Sequence, residues 1–138
     1  MPVNEQLQNS IKAFLKWENE NNVQWLESEK KIYSKQYEYA GTLDAEAMVN
    51  GELAIIDFKT SNGIYDEYCL QVSAYKQARE EETGQDYKKC FIVRIGKDGE
   101  LEVKEIKELD RHFKAFLGCL EIYKWQMENK RQKLNIQI

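Results

Sequence analysis

The dipeptide Asn50-Gly51 constrains this chain more than any other pair of residues. Asn-Gly between two apolar-alternating runs is the strongest short-range hairpin signal, because a two-residue type I′ turn needs positive φ at both positions and these residues tolerate it. With that turn Val49 pairs with Glu52, and counting outwards sets Asp44 across from Asp57 and Thr42 across from Lys59. Side chains alternate along a strand, so Asp44, Asp57 and Lys59 share one face. The other face carries Leu43, Ala45, Ala47 and Val49 on one strand and Ala54, Ile56 and Phe58 on its partner, and it reads as core. A one-residue slip would bury the charges instead, so the register is well specified.

Directly opposed strand residues have Cβ atoms about 4.5 to 5.5 Å apart, and like charges there repel. At an effective dielectric of ~20, two unit charges ~5 Å apart cost roughly 3 kcal/mol, a large penalty beside ordinary domain stability. A divalent cation turns that penalty into attraction. Mg²⁺ suits the place because it takes oxygen ligands, commonly one or two carboxylates, and keeps waters or substrate phosphates in its other positions. The blander alternative is a pair of unrelated, solvent-facing carboxylates on an amphipathic hairpin.

The remaining pattern places the hairpin inside a layered α/β domain. Leu7, Ile11, Phe14, Leu15 and Glu18 make a helical stripe over 4–20, and Val23 to Tyr33 reads as a strand that completes a three-stranded meander. A second helix runs from Asp66 to about Thr83, with Leu70, Ala74 and Ala78 on one stripe and Gly84 beyond its end. Lys89 to Ile95 and Leu101 to Ile106 are strands around the turn Lys97-Asp98-Gly99, and Phe113, Phe116, Leu117, Leu120 and Tyr123 or Lys124 mark a C-terminal helix over about 109–130. The order α-β-β-β-α-β-β-α gives a mixed β-sheet flanked by helices. The whole of 1–138 is expected to be a single domain with its core over about 23–106, since 138 residues suffice for one hydrophobic core.

Lys59 lies two residues beyond Asp57, where its amine could orient or deprotonate a water or meet charge developing on a phosphate. A lysine merely pairing with the carboxylates is the plain alternative, worth less than ~1 kcal/mol at a surface. Gln71 and Tyr75 are four apart on one helix face and can both donate to an oxygen or brace the lysine, or simply form a polar helix edge. Glu29 could supply a third carboxylate if its strand pairs with the one bearing Asp44; Glu27 lies two residues away on the same face, so the choice is open. His112, the only histidine, sits near the start of the last helix and reads as surface or capping. Neither a Ser/His/Asp triad independent of it nor a phosphate-cradling Gly loop is present.

The net charge of -4 excludes a chain that binds polyanions through its overall field, so any nucleic-acid contact is local. Lys30-Lys31 with Lys35, Lys88-Lys89, and Lys130-Arg131 with Lys133 read as solvated patches. Cys69, Cys90 and Cys119 have no CxxC or zinc spacing and read as buried thiols in a reducing compartment. No apolar run approaches ~20 residues and the first residues lack the pattern of a signal or transit peptide, so no membrane span and a cytoplasmic location are expected.

Gly41-Thr42-Leu43-Asp44, then Asp57-Phe58-Lys59, then Gln71-Val72-Ser73-Ala74-Tyr75 resembles the PD-(D/E)XK nuclease superfamily, nearest to its RecB-like exonuclease branch, which includes the mitochondrial genome-maintenance exonuclease and phage or viral relatives. In that branch a GxhD strand, a DxK strand and a QxxxY helix follow one another, often with an upstream glutamate that Glu29 matches by position. The resemblance covers roughly Glu29 to Tyr75 and implies a restriction-endonuclease-like core.

It also implies that Asp44, Asp57 and the Phe58 carbonyl hold Mg²⁺ or Mn²⁺. Lys59 would activate the attacking water, and Gln71 with Tyr75 would position substrate or lysine. The activity so implied is a metal-dependent deoxyribonuclease, in exonuclease form, acting on single-stranded or free-ended DNA in processing, repair or recombination, with a helicase or recombination partner. Leu43 replaces the superfamily's proline, the upstream histidine ligand has no counterpart, and the cysteines of the cluster-bearing members are missing, so no iron-sulfur cluster is expected. Two rival classes are a non-catalytic nuclease-fold module that binds DNA or a protein, and a small domain whose acidic face meets a basic partner.

Overall fold

The computed structural model describes the backbone of residues 3–137 and the side chains of 5–131; the side chain of Lys133, named above with the third basic patch, lies outside the described residues. The elements are α1 (Val3–Glu20), β1 (Gln24–Ser34), β2 (Tyr39–Val49), β3 (Glu52–Lys59), α2 (Asp66–Thr83), β4 (Lys89–Ile95), β5 (Leu101–Glu105) and α3 (Leu109–Gln137). The five strands form one mixed sheet in the order β1-β2-β3-β4-β5, in which only β3 and β4 run parallel, joined through α2. The α/β class, the mixed sheet and the order of elements are those read from the sequence.

The hairpin turn is as its chemistry requires. Asn50 and Gly51 have φ of 50° and 79°, and Val49 pairs with Glu52. The Asn50 N–H donates to the carbonyl of Asn21 at 2.8 Å, which ties the turn to the end of α1. α2 ends where Gly84 enters the left-handed region, its N–H donating back to Glu80 at 2.9 Å.

Two apolar clusters sandwich the sheet. Under α2 and α3 lie Ile32, Tyr39, Leu43, Ile55, Val72 and Ile92, with Phe113, Phe116 and Leu120 packed against them. On the α1 side lie Ala45, Ala47, Val49, Ala54, Ile56, Phe91 and Val93, with Phe14 and Trp17 against them. Both faces of the central strands are therefore covered, and charged groups on β2 and β3 can be buried.

Three expectations need correction. α1 does not bury its most apolar stripe: Leu7, Ile11 and Leu15 are 56%, 49% and 53% exposed, while Ser10 is buried with Phe14 and Trp17 beside it. The cause lies far along the chain. The Ser10 hydroxyl donates to the carbonyl of Gly99 at 2.6 Å, and a Cβ on Gly99 would come within 2.7 Å of the Gln6 carbonyl, so the β4–β5 turn fixes the rotation of the helix. Leu43 does not share a core face with Ala45 and Ile56 but packs beneath α2; Phe58 stays on their side, its ring 6.1 Å from that of Phe14, yet is exposed and not core. The cysteines differ from one another: Cys90 is buried, Cys69 is half-buried and Cys119 is exposed. Among the described residues no helix is long and apolar enough to cross a membrane.

Candidate active site

β2 and β3 separate at the two aspartates. Their last ladder pair is Ala45 with Ile56; beyond it Tyr39 to Leu43 pair only with β1, while Asp57, Phe58 and Lys59 pair with Ile92, Val93 and Arg94 of β4. Asp44 and Asp57 occupy the first positions past that pair, at the mouth of a fork. Asp44 Oδ2 accepts the Phe58 N–H at 2.8 Å, so a side chain takes a backbone donor left free where the strands part. Thr42 is consequently opposite Lys31 on β1 and not opposite Lys59, which corrects the continuous register expected from the turn.

The side-chain alternation of β2 also resets here. Leu43 lies in the cluster under α2 and Ala45 in the cluster on the α1 side. On β1, Glu29 falls between the pairs Ser28 with Ala45 and Lys30 with Leu43, itself unpaired and with φ of 50°. Glu29 is exposed at this irregularity, whereas Glu27 lines an open cleft together with Asp44, Ser28 and Phe58. Of the two glutamates left open by the sequence, the structure thus brings Glu27 into the cleft that holds Asp44.

From Asp57 a chain of polar contacts runs into α2. Lys59 Nζ is 2.9 Å from Asp57 Oδ2 and donates to Gln71 Oε1 at 2.7 Å; Gln71 Nε2 donates to the Tyr75 hydroxyl at 2.7 Å. A lysine is a donor only, so the glutamine turns its carbonyl to Lys59 and its amide to Tyr75. The four-residue helical step puts Gln71 and Tyr75 in line, and Gly41 lets the tyrosine lie against the sheet: a Cβ there would stand 3.0 Å from Tyr75 Cε1. Tyr68 covers the lysine from the other side, with Nζ 4.5 Å from its ring centroid.

Electrostatically the fork is strained. Burial pushes the Asp57 carboxyl up from its ordinary 3.8 to about 6; Lys59 pulls it down, while hydrogen bonding and charge from Asp44 push it up again. Tyr75 is likewise pushed up, chiefly by burial and further by the charges of both aspartates, so it stays a phenol. Asp57 Oδ2 is a buried oxygen that has the ionic contact with Lys59 but no aligned hydrogen bond. Two neighbouring carboxylates with an under-coordinated oxygen fit a hard cation that brings most of its own ligands. They do not make a closed site: no group of three or more His, Cys, Asp or Glu side chains converges among the described residues.

Sequence reasoning missed a second polar group directly behind the fork. Buried Glu46 is held by Arg79 through Nε–Oε1 and, at 3.2 Å, Nη2–Oε2, and Glu46 Oε1 accepts the Tyr87 hydroxyl at 3.1 Å. A signal existed: Arg79 extends Gln71 and Tyr75 by the same step of four, and Glu46 extends Asp44 by the strand's step of two.

No family model matches the chain, and no curated protein matches it. Among solved structures it is similar to one from Eubacterium rectale, described provisionally as an exonuclease, with a TM-score of 0.53 and 13% identity over 90% of this chain and 49% of that one. It is also similar to an alkaline exonuclease from Laribacter hongkongensis, with a TM-score of 0.40 and 17% identity over 92% of this chain and 72% of that one. The chain spans about half the length of the first structure, and that likeness shows a common fold.

Proposed function

We propose that this chain is a metal-dependent deoxyribonuclease that cleaves phosphodiester bonds at the β2–β3 fork. The observation that carries the reading is the unbroken series Asp44, Asp57, Lys59, Gln71, Tyr75, in which two crowded carboxylates meet a lysine oriented by a glutamine and a tyrosine. The fold shared with a structure described provisionally as an exonuclease is in keeping with it.

Asp44 and Asp57, with the Phe58 carbonyl, are the groups that would hold Mg²⁺ or Mn²⁺. Bound there, the cation neutralises charge on the scissile phosphate and lowers the pKa of a water. The chain's own residues do the rest. Lys59 has three N–H donors; Asp57 and Gln71 accept from it or face it on one side, and the remaining capacity serves a phosphate oxygen or the attacking water. Gln71 and Tyr75 fix the lysine's position, so that it is placed before substrate arrives. Glu27, in the cleft beside Asp44, is a further carboxylate within the same substrate space.

Exonucleolytic action on ends during DNA processing, repair or recombination is the biological form proposed, with a helicase or recombination protein as partner. Purified protein is to be assayed on linear duplex and single-stranded DNA with Mg²⁺ or Mn²⁺. Cleavage abolished by Asp57→Ala and by Lys59→Ala supports the assignment; cleavage that survives both substitutions overturns it.

A further inference from the structure

Three aromatic rings wall the cleft into which Asp44 opens. It measures about 570 Å³ and is lined by Phe14, Trp25, Leu26, Glu27, Asp44 and Phe58 among others. Phe14 and Trp25 stack with centroids 6.0 Å apart at 22°, and the Phe58 ring lies 6.1 Å from each of them. The Trp25 indole is held in place, since its Nε1 donates to Glu18 Oε2 at 2.6 Å. Even so Trp25, Leu26 and Phe58 are 39%, 52% and 37% exposed. A rigid, water-facing aromatic group next to a reactive site is a preorganised surface for another flat ring.

Charge decides which part of a nucleic acid meets this wall. The chain carries -4 overall, and several of its lysines face carboxylates already, as Lys89 does Glu52 at 3.1 Å and Lys76 does Glu80 at 2.9 Å. Apart from Asp44, whose charge the proposed cation offsets, the charged residue lining the aromatic cleft is Glu27, so a phosphate is disfavoured beside Trp25 and an uncharged base is not. On the far side of Phe58 a second cavity of about 530 Å³ is lined by Lys59, Ser61, Asn62, Tyr65, Tyr68 and Lys97, where a backbone phosphate finds donors. The two cavities share Phe58, next in sequence to Asp57.

Resting on the nuclease reading, we infer that Trp25, supported by Phe14 and Phe58, is a stacking site for an unpaired base of a single DNA strand, and that this site favours single strands over duplex. Stacking is indifferent to sequence because every base has a π-face, but it requires that face to be free, which duplex pairing prevents. Leu26 extends the same wall as an apolar rim. Trp25 is here a binding residue; it takes no part in the chemistry.

The test separates binding from cleavage by using an oligothymidylate 12-mer and a blunt duplex of equal length, followed by fluorescence anisotropy in EDTA and again with Ca²⁺. Trp25→Ala is expected to weaken single-strand binding roughly 5- to 150-fold, as loss of one base–aromatic stack does, and to leave duplex binding unchanged. Trp25→Phe should restore most of the loss. Leu26→Glu, at a site too exposed to upset folding, should weaken the single strand as well. Equal single-strand affinity in wild type, Trp25→Ala and Leu26→Glu overturns the proposal, as does absence of single-strand binding by wild type in both buffers or an equal loss on duplex. Wild-type binding without cleavage in Mg²⁺ or Mn²⁺ would remove the hydrolase reading and keep the stacking site; cleavage with binding insensitive to Trp25 would do the reverse.

Discussion

Replacing Asp57 by asparagine should stabilise the metal-free protein while removing the DNA cleavage proposed for it. Burial and Asp44 hold the Asp57 carboxyl at about 6 against an ordinary 3.8, so the folded chain keeps this proton more tightly than the unfolded chain does. The stabilisation from the protonated form is fully present below pH 3.8 and is lost as pH rises through about 6. At about 1.36 kcal/mol per pH unit, the ionised aspartate costs the fold about 3 kcal/mol at pH 8. That figure is an upper bound, because the fork opens to solvent and Lys59 loses a counter-ion in the variant. A net gain of about 1 to 3 kcal/mol remains, or about 3 to 10 °C in Tm for a chain of this size.

The amide would also offer Asp44 a donor where the wild type presents a second negative charge. Thermal melts of wild type and Asp57→Asn in EDTA at pH 8 and pH 4 measure the effect: the variant should melt higher at pH 8, and the difference should fall to about 0.6 kcal/mol at pH 4, where the folded carboxyl is already protonated. Mg²⁺ should raise the Tm of the wild type and leave the variant nearly unmoved, since a ligand stabilises only the state that binds it. A variant that melts lower than wild type at pH 8, or by the same margin at both pH values, would refute the account of a strained carboxylate pair.

Gln71→Leu should lower kcat for DNA cleavage about 10- to 100-fold with a Tm within a few degrees of wild type, because Lys59 and the Tyr75 hydroxyl lose the residue between them. Gly41→Val should cost about 1 to 3 kcal/mol in urea unfolding, since the new side chain meets the Tyr75 ring. Arg79→Ala should cost about 3 to 5 kcal/mol by leaving Glu46 charged and buried, and most of that should return in the double variant Glu46→Leu/Arg79→Met, again by urea titration.

Most of the architecture is local in origin and was legible for that reason. Positive φ at Asn50 and Gly51 follows from those two residue types, and α2 runs over Asp66–Thr83 because its periodicity ends at Gly84. Strand and helix periods put Asp57 with Lys59 on one sheet face and Gln71 with Tyr75 on one helix face, but that the two faces meet was implied only by the family resemblance. What could not be read depends on residues distant in sequence. Leu7, Ile11 and Leu15 form the more apolar stripe of α1, yet Ser10 faces inward because Gly99 admits the helix backbone at close range. Counting outward from a turn gives the register of a ladder but not the position where it ends; that is set when Asp44 takes the Phe58 N–H. Nothing in a glutamate announces a left-handed backbone, so the displacement of Glu29 from the cleft that admits Glu27 was silent.

The fork raises a mechanical question that the buried Glu46–Arg79–Tyr87 group answers. Where β2 leaves β3 it gives up the hydrogen bonds that would hold Asp44 in place, and a carboxylate free to retreat from Asp57 would do so, since each raises the other's energy. Two attachments oppose that retreat. Asp44 is tied forward to the Phe58 N–H, and two residues behind it Glu46 is clamped to Arg79 of α2 and to Tyr87, just ahead of β4. A buried ion pair is a weak source of net stability, but a bidentate one is geometrically exacting, and a hydrophobic replacement would not define the position of β2 against α2 so sharply. The Glu46→Leu/Arg79→Met chain should therefore recover its folding free energy yet cleave DNA more slowly than wild type, because Asp44 would be free to move away from Asp57. If it cleaved at the wild-type rate, the clamp would be a matter of stability alone, and the Phe58 contact would suffice to hold the two aspartates together.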